Sequence, residues 1–201
     1  MDYTSHSDDA LFALMQSPSL QREEAFKAFY HRYAARIRTY CFSIMDNPHE
    51  AEDIFQETFI RFYHVSAQER MITNVSGYLF RIARHQCLDR KKYHTRTLSL
   101  DDILDNHSGD STKLPDGMSS TIEMQNEIEK EELFRLVDAA LSSLDDEYRE
   151  AFVLREYDDL SYEQIAAITD TNVVNARTRV FRAKQKLKDI LKPYIKDLEQ
   201  H

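Results

Sequence analysis

The side chains able to do chemistry in this sequence fall into three groups, and none is arranged to break a bond. Asn175, Arg177, Thr178, Phe181, Arg182 and Lys184 lie within NARTRVFRAK, with Lys188 one turn further on. Cations on successive helical turns suit phosphates, and Asn and Arg carry the paired hydrogen-bonding groups that base edges recognise. The second group, Tyr78, Arg81, Arg84 and His85 in GYLFRIARH, sets aromatics beside cations, with Phe80 joining Tyr78. Rings give unpaired bases a stacking platform while the charges follow the backbone, a chemistry for single-stranded nucleic acid. Asp53, Gln56 and Glu57 form the third group, on one side of a helix. Carboxylates so spaced suit acid–base work or cation binding, but no HExxH and no second cluster accompanies them, and His49 is their lone neighbour. A docking face for a partner protein is the use left open. No catalytic residue, metal site or cofactor is expected.

The first group needs a helix that shows one face to an anion and buries another. Ala176, Val180, Ala183, Leu187 and Leu191 recur at helical spacing and supply the buried stripe. Before them, Ser161 and Gln164 make a capping box for a short helix carrying Ile165, Ala166 and Ile168, and Thr169 to Asn172 form a polar break. A short helix, a tight turn and a longer helix make a helix-turn-helix, which places its second helix in the major groove of duplex DNA. The chain is acidic overall, at net charge −9, yet from Arg177 to Lys192 only Asp189 is negative. A local cationic patch on an anionic protein marks a site for a polyanion.

The third group needs the helix that starts at Asn47-Pro48, where Asn47 caps, Pro48 takes the first helical position and Glu50 closes a capping box. Ile54, Phe55, Phe59 and Phe62 face the core there. Helices are also expected over Asp8 to Met15 and over Leu20 to Met45, the latter with a stripe of Phe26, Phe29, Tyr30, Tyr33, Ile37, Tyr40 and Cys41. Residues 67–76 read as a loop before the helix that carries the second group. Cys41 and Cys87 each read as a small core residue of a reducing cytoplasm.

With three glycines and four prolines in 201 residues, and apolar residues three and four apart, the fold class is all-α. Two small helical domains are expected, residues 1–97 and 127–201, joined by a flexible acidic linker over 98–126 that is rich in Ser and Asp. Nothing suggests secretion or membrane insertion, and a cytoplasmic location follows.

The ordered blocks EEAFKAFYHRY, AEDIFQETFIRFY, GYLFRIARHQCLDRKK and LDDEYREAFVLREYDDLSYEQIAAIT with ARTRVFRAKQKL resemble the extracytoplasmic function class of bacterial sigma factors, from Glu23 to Leu191. The resemblance implies a promoter-recognition subunit of RNA polymerase that initiates transcription. Core polymerase, through its β and β′ subunits, and promoter DNA are its partners, and many relatives are held by an anti-sigma factor. It implies that Asp53, Gln56 and Glu57 dock on a coiled coil of β′, and that the helix and loop from Ala67 to Arg90 capture the minus-ten element. It further implies that Arg177, Thr178, Phe181 and Arg182 read the minus-thirty-five element. This sequence departs from the family where Gly is usual, at Asp170 and Val174, and where Thr-Val is usual, at Asn175-Ala176; Tyr78 replaces a frequent Trp and His85 a usual Asn.

Two other classes share some of these features. A stand-alone helix-turn-helix regulator would carry a receiver, ligand-binding or dimerisation domain, yet the N-terminal half shows no βα alternation or Gly-rich loop. An all-α protein-interaction module would tolerate charge reversal at Arg177 and Arg182.

Overall fold

The computed structural model describes residues 3, 5–17, 20–68, 72–101 and 135–198 of the chain. Among them every regular element is a helix: α1 (Asp8–Met15), α2 (Leu20–Ile44), α3 (Pro48–Ser66), α4 (Val75–Asp101), a helical stretch at 135–142, α5 (Asp146–Glu156), α6 (Tyr162–Ile168) and α7 (Val173–Leu198). The chain divides into two compact units, one built on α1–α4 and the other on 135–142, α5, α7 and most of α6. Of the segment expected as a linker, residues 102–126 lie outside the described residues; its first residues continue α4 as far as Asp101. No Gly or Pro interrupts residues 98–101, so nothing local stops the helix before Asp101.

In the first unit most of the stripe of α2 is core, as its period implies: Phe29, Tyr33, Ile37, Tyr40 and Cys41 are buried, while Phe26 and Tyr30 are half-buried. Phe29 stacks on Phe62 of α3 with ring centroids 4.8 Å apart, and Tyr30 meets Phe59 edge-on at 4.8 Å. These offset and edge contacts are the arrangements that aromatic quadrupoles favour. Helix α1 is tied to α2 through Asp8: Arg32 Nη1 donates to its Oδ1 at 2.7 Å, and the Tyr33 hydroxyl donates to its Oδ2. Burial, together with the bond to Asp8 and its charge, pushes the Tyr33 hydroxyl up to about 12.

Asn47 caps α3, accepting from the backbone N–H of His49 at 2.9 Å and of Glu50 at 3.4 Å. Glu50, expected to close the capping box, turns its Oε1 to α4 instead, where His94 Nε2 lies at 2.7 Å and Arg90 Nη1 at 3.2 Å. Burial works to raise the Glu50 carboxyl, but the bonds and charges of His94 and Arg90 together hold it below its ordinary value. Asn74 caps α4 by accepting from the Gly77 N–H at 2.8 Å. A Cβ on Gly77 would stand 2.7 Å from Asn74 Nδ2, so a larger residue there would make the capping side chain shift.

Cys41 of α2 and Cys87 of α4 are both fully buried and free. A hydrogen bond between the two thiols, together with burial, pushes the Cys41 thiol up. Far apart in sequence, the two cysteines gave no sign of meeting.

The second unit is organised on α7. Ala183 and Leu187 pack with Ala140, Leu141 and Leu144 in one cluster, which Val137, Tyr148, Phe152 and Leu191 border. Ala176, Val180 and Ile165 are buried as well. Helix α6 begins with a complete capping box: Ser161 N–H donates to Gln164 Oε1 at 2.8 Å and Gln164 N–H to Ser161 Oγ at 3.2 Å. After α6 the backbone turns through Asp170 at φ 50°, a left-handed conformation in which Asp is one of the tolerated side chains. Asn172 then caps α7, its Oδ1 accepting from Asn175 N–H at 2.8 Å.

Candidate nucleic-acid interface

Helix α7 buries Ala176, Val180, Ala183 and Leu187 at intervals of three and four, so its opposite side must face outward. That side carries Val174, Arg177, Thr178, Phe181, Gln185 and Lys188, with Asn175 and Arg182 on its flank. Val174 is 72% exposed and Phe181 62%, against an interior stripe that is almost completely covered. Two large apolar groups held in water among cations are costly to the free protein and point to a ligand that covers them.

Several cations of α7 are held back by α5. Lys184 Nζ lies 2.8 Å from Glu156, Lys186 Nζ 2.5 Å from Asp145, Arg179 Nη2 2.7 Å from Glu147, and Arg182 donates to the Tyr148 hydroxyl at 3.3 Å. Arg177 is steered differently: its guanidinium sits over the Tyr162 ring at 5.2 Å, with Arg155 over the same ring at 4.9 Å. The ring positions the cation without itself neutralising it, and Glu163 lies near enough to feel the Arg177 charge. Of the expected residues on this helix, Asn175, Arg177, Phe181, Arg182 and Lys184 are exposed and Thr178 is half-buried.

On α4 the expected group separates. Arg81 and His85 are exposed, Tyr78 and Arg84 half-buried. Phe80, expected as a stacking partner of Tyr78, is fully buried and meets Tyr40 edge-on at 5.7 Å. It shares its side of the helix with Ala83 and Cys87, at core spacing, so packing claims the ring. A stacking surface here rests on Tyr78 alone among the two.

On α3, Asp53, Gln56 and Glu57 are all exposed, while Ile54, Phe55, Phe59 and Phe62 are buried. Ile60, 58% exposed, continues the same face one turn on. Ile60 was not among the expected docking residues, and Val174 was expected only as a departure from the family pattern, yet each lies three to seven residues from a residue already assigned to its outward face, and that spacing was the available signal. An apolar residue ringed by carboxylates and an amide is the composition of a protein docking site rather than a catalytic one. Among the described residues no group of His, Cys, Asp and Glu is placed to hold a metal ion, and no helix is long and apolar enough to cross a membrane.

Two family models match the chain, Sigma-70 region 2 over residues 29–97 and Sigma-70 region 4 over residues 134–187. The ECF RNA polymerase sigma factor SigM of Bacillus subtilis is 27% identical over 169 residues, which cover 84% of this chain and 96% of that protein. SigW of the same organism is 28% identical over 170 residues, covering 85% and 90%. Among solved structures, the sigma factor RpoE of Bartonella quintana, crystallised with the anti-sigma factor NepR, has a similar fold. Its TM-score is 0.66 at 23% identity, over 83% of this chain and 96% of that one.

Proposed function

The chain belongs to the extracytoplasmic function class of RNA polymerase sigma factors, which direct transcription from promoters, and we propose how its residues divide that work. The outward face of α3, Asp53, Gln56, Glu57 and Ile60, docks on core polymerase at a coiled coil of β′. The carboxylates and amide supply directional contacts there, and Ile60 the buried centre that such interfaces need. Tyr78, Arg81, Arg84 and His85, at the start of α4, hold the opened minus-ten element, where an unstacked base lies against the Tyr78 ring and phosphates against the cations. Helix α7 enters the major groove of the minus-thirty-five element, with Asn175, Arg177 and Thr178 in its first turns at base edges and Phe181, Arg182 and Lys184 further along.

The domain boundaries that fit this division are 1–97 for polymerase docking and the minus-ten element, 98–126 for the acidic connection, and 127–201 for the minus-thirty-five element. The role is recognition and positioning, without catalysis by this chain, and it is exercised in the cytoplasm, where an anti-sigma factor is the partner that would withhold the protein from polymerase. The observation that carries the reading is the outward face of α7, cationic at Arg177 and apolar at Val174 and Phe181, behind a capped helix-turn-helix.

Run-off transcription with the purified chain, sigma-free core polymerase and promoter fragments tests it. Specific transcripts that need the protein, and that fall at least tenfold with Arg177→Glu/Arg182→Glu, are expected. Unchanged transcripts in that variant would remove α7 from promoter recognition.

A further inference from the structure

Thr178 carries a detail that changes what α7 offers to DNA. Its hydroxyl donates to the Val174 carbonyl at 2.8 Å, so its only donor is spent inside the helix. With the hydroxyl turned back to the backbone, what this half-buried side chain can still offer a ligand is its methyl group and an oxygen that only accepts. Val174 stands one turn before it and Phe181 one turn after, 72% and 62% exposed. The three make an apolar ridge at intervals of four and three along the outward face.

Cations border the ridge: Arg177, poised over Tyr162 at 5.2 Å, and beyond it Lys188, with Arg182 on the other flank. A polyanion is therefore the occupant that the charges select. The one apolar group that duplex DNA displays in its major groove is the thymine C5 methyl. We infer that Val174, Thr178 and Phe181 form a methyl-reading ridge that selects thymines in the upstream promoter element, an inference that rests on the placement of α7 in that groove.

The helix supplies a length scale. At about 1.5 Å per residue, Val174 and Phe181 are about 10 Å apart along the axis, or about three base steps of roughly 3.4 Å. The selected thymines, on either strand, should therefore fall within about four consecutive base pairs. Asn175, exposed beside Val174, offers the amide that pairs with adenine, which fits the same A·T-containing stretch.

The test replaces each thymine of the upstream element in turn by deoxyuridine, which removes only the C5 methyl. Polymerase holoenzyme is assembled with the wild-type chain, Val174→Ala, Thr178→Ser or Phe181→Ala, on a promoter found by the run-off experiment, and occupancy is measured. Thr178→Ser keeps the hydroxyl and loses the methyl. With the wild type, one to three uracil positions should each lower occupancy about fourfold, the worth of one buried methyl. At least one of the three variants should erase the sensitivity at one of those positions while leaving the others. Uracil without effect everywhere, or with equal effect in the wild type and all three variants, would overturn the inference. Arg177→Glu/Arg182→Glu run alongside separates the two levels: if it weakens occupancy while uracil is silent, only methyl reading fails, and if it too is silent, the placement of α7 fails with it.

Discussion

Helices α4 and α7 look alike as strings of letters, each an amphipathic run of Arg and Lys with an aromatic near its start, yet the fold treats them differently. On α4 the ring of Phe80 is buried against Tyr40, and Arg90 is drawn to Glu50 of α3. On α7 the ring of Phe181 stays in water, and it is the cations Lys184, Lys186 and Arg179 that neighbouring carboxylates collect. Charge in the sequence thus says where a polyanion is welcome. Which rings and which cations remain available depends on the carboxylates and cavities that the neighbouring helices bring.

The contrast is broken most forcefully at the two phenylalanines. Phe80→Ala should cost about 3–5 kcal/mol in chemical unfolding of the first unit, because it empties a filled core site. Phe181→Ala should stay within about 0.5 kcal/mol while impairing promoter binding. Equal losses would mean that Phe181 is structural after all.

Ser161→Ala should lower the stability of the second unit by about 1 kcal/mol, since the box at the start of α6 satisfies donors in both directions. Its effect on transcription should be no larger than that loss of fold explains.

Glu50→Gln should cost about 1 kcal/mol near neutral pH, tempered by the partial exposure of Arg90 and His94. The folded-state carboxyl is held below its ordinary value of 4.5, so its contribution is complete above that pH and is lost as pH falls through the folded value. Acid titrations of the wild type and Glu50→Gln should therefore converge only below the ordinary carboxyl value of 4.5; curves that stay parallel would show that Glu50 does not link α3 to α4 through its charge. Lys184→Ala should have the smallest effect on stability, about 0.5 kcal/mol or less, because its pair with Glu156 is half exposed. Measured salt dependence of DNA binding decides whether Lys184 also leaves that pair for a phosphate.

Much of this was legible beforehand. The stripe from Phe29 to Cys41, the cap at Asn47, the capping box at Ser161 and Gln164, and the buried run from Ala176 to Leu187 follow from period and cap chemistry, which act within a turn or two. The face of Asp53, Gln56 and Glu57 is outward as expected, since its opposite side carries four large apolar groups. What misled at Glu50 and Phe80 was a contact across elements. Phe80 looked like a companion to Tyr78 because both precede cations, but two residues along a helix are a turn of about 200°, and only one of the two could face α2.

By itself, then, the sequence determined an all-α chain, the caps at Asn47 and Ser161, and the two cationic helices with the blocks that mark its family, because propensity, capping and hydrophobic period are local. Tertiary structure alone decided that Glu50 serves α4, that Cys41 meets Cys87, that α5 and its N-cap Asp145 gather four cations of α7, and that Val174, Thr178 and Phe181 are left as an apolar ridge. Each of these turns on which distant group comes within a few ångströms, and hydrogen bonds and packing at that range depend on geometry that no local pattern of residues specifies.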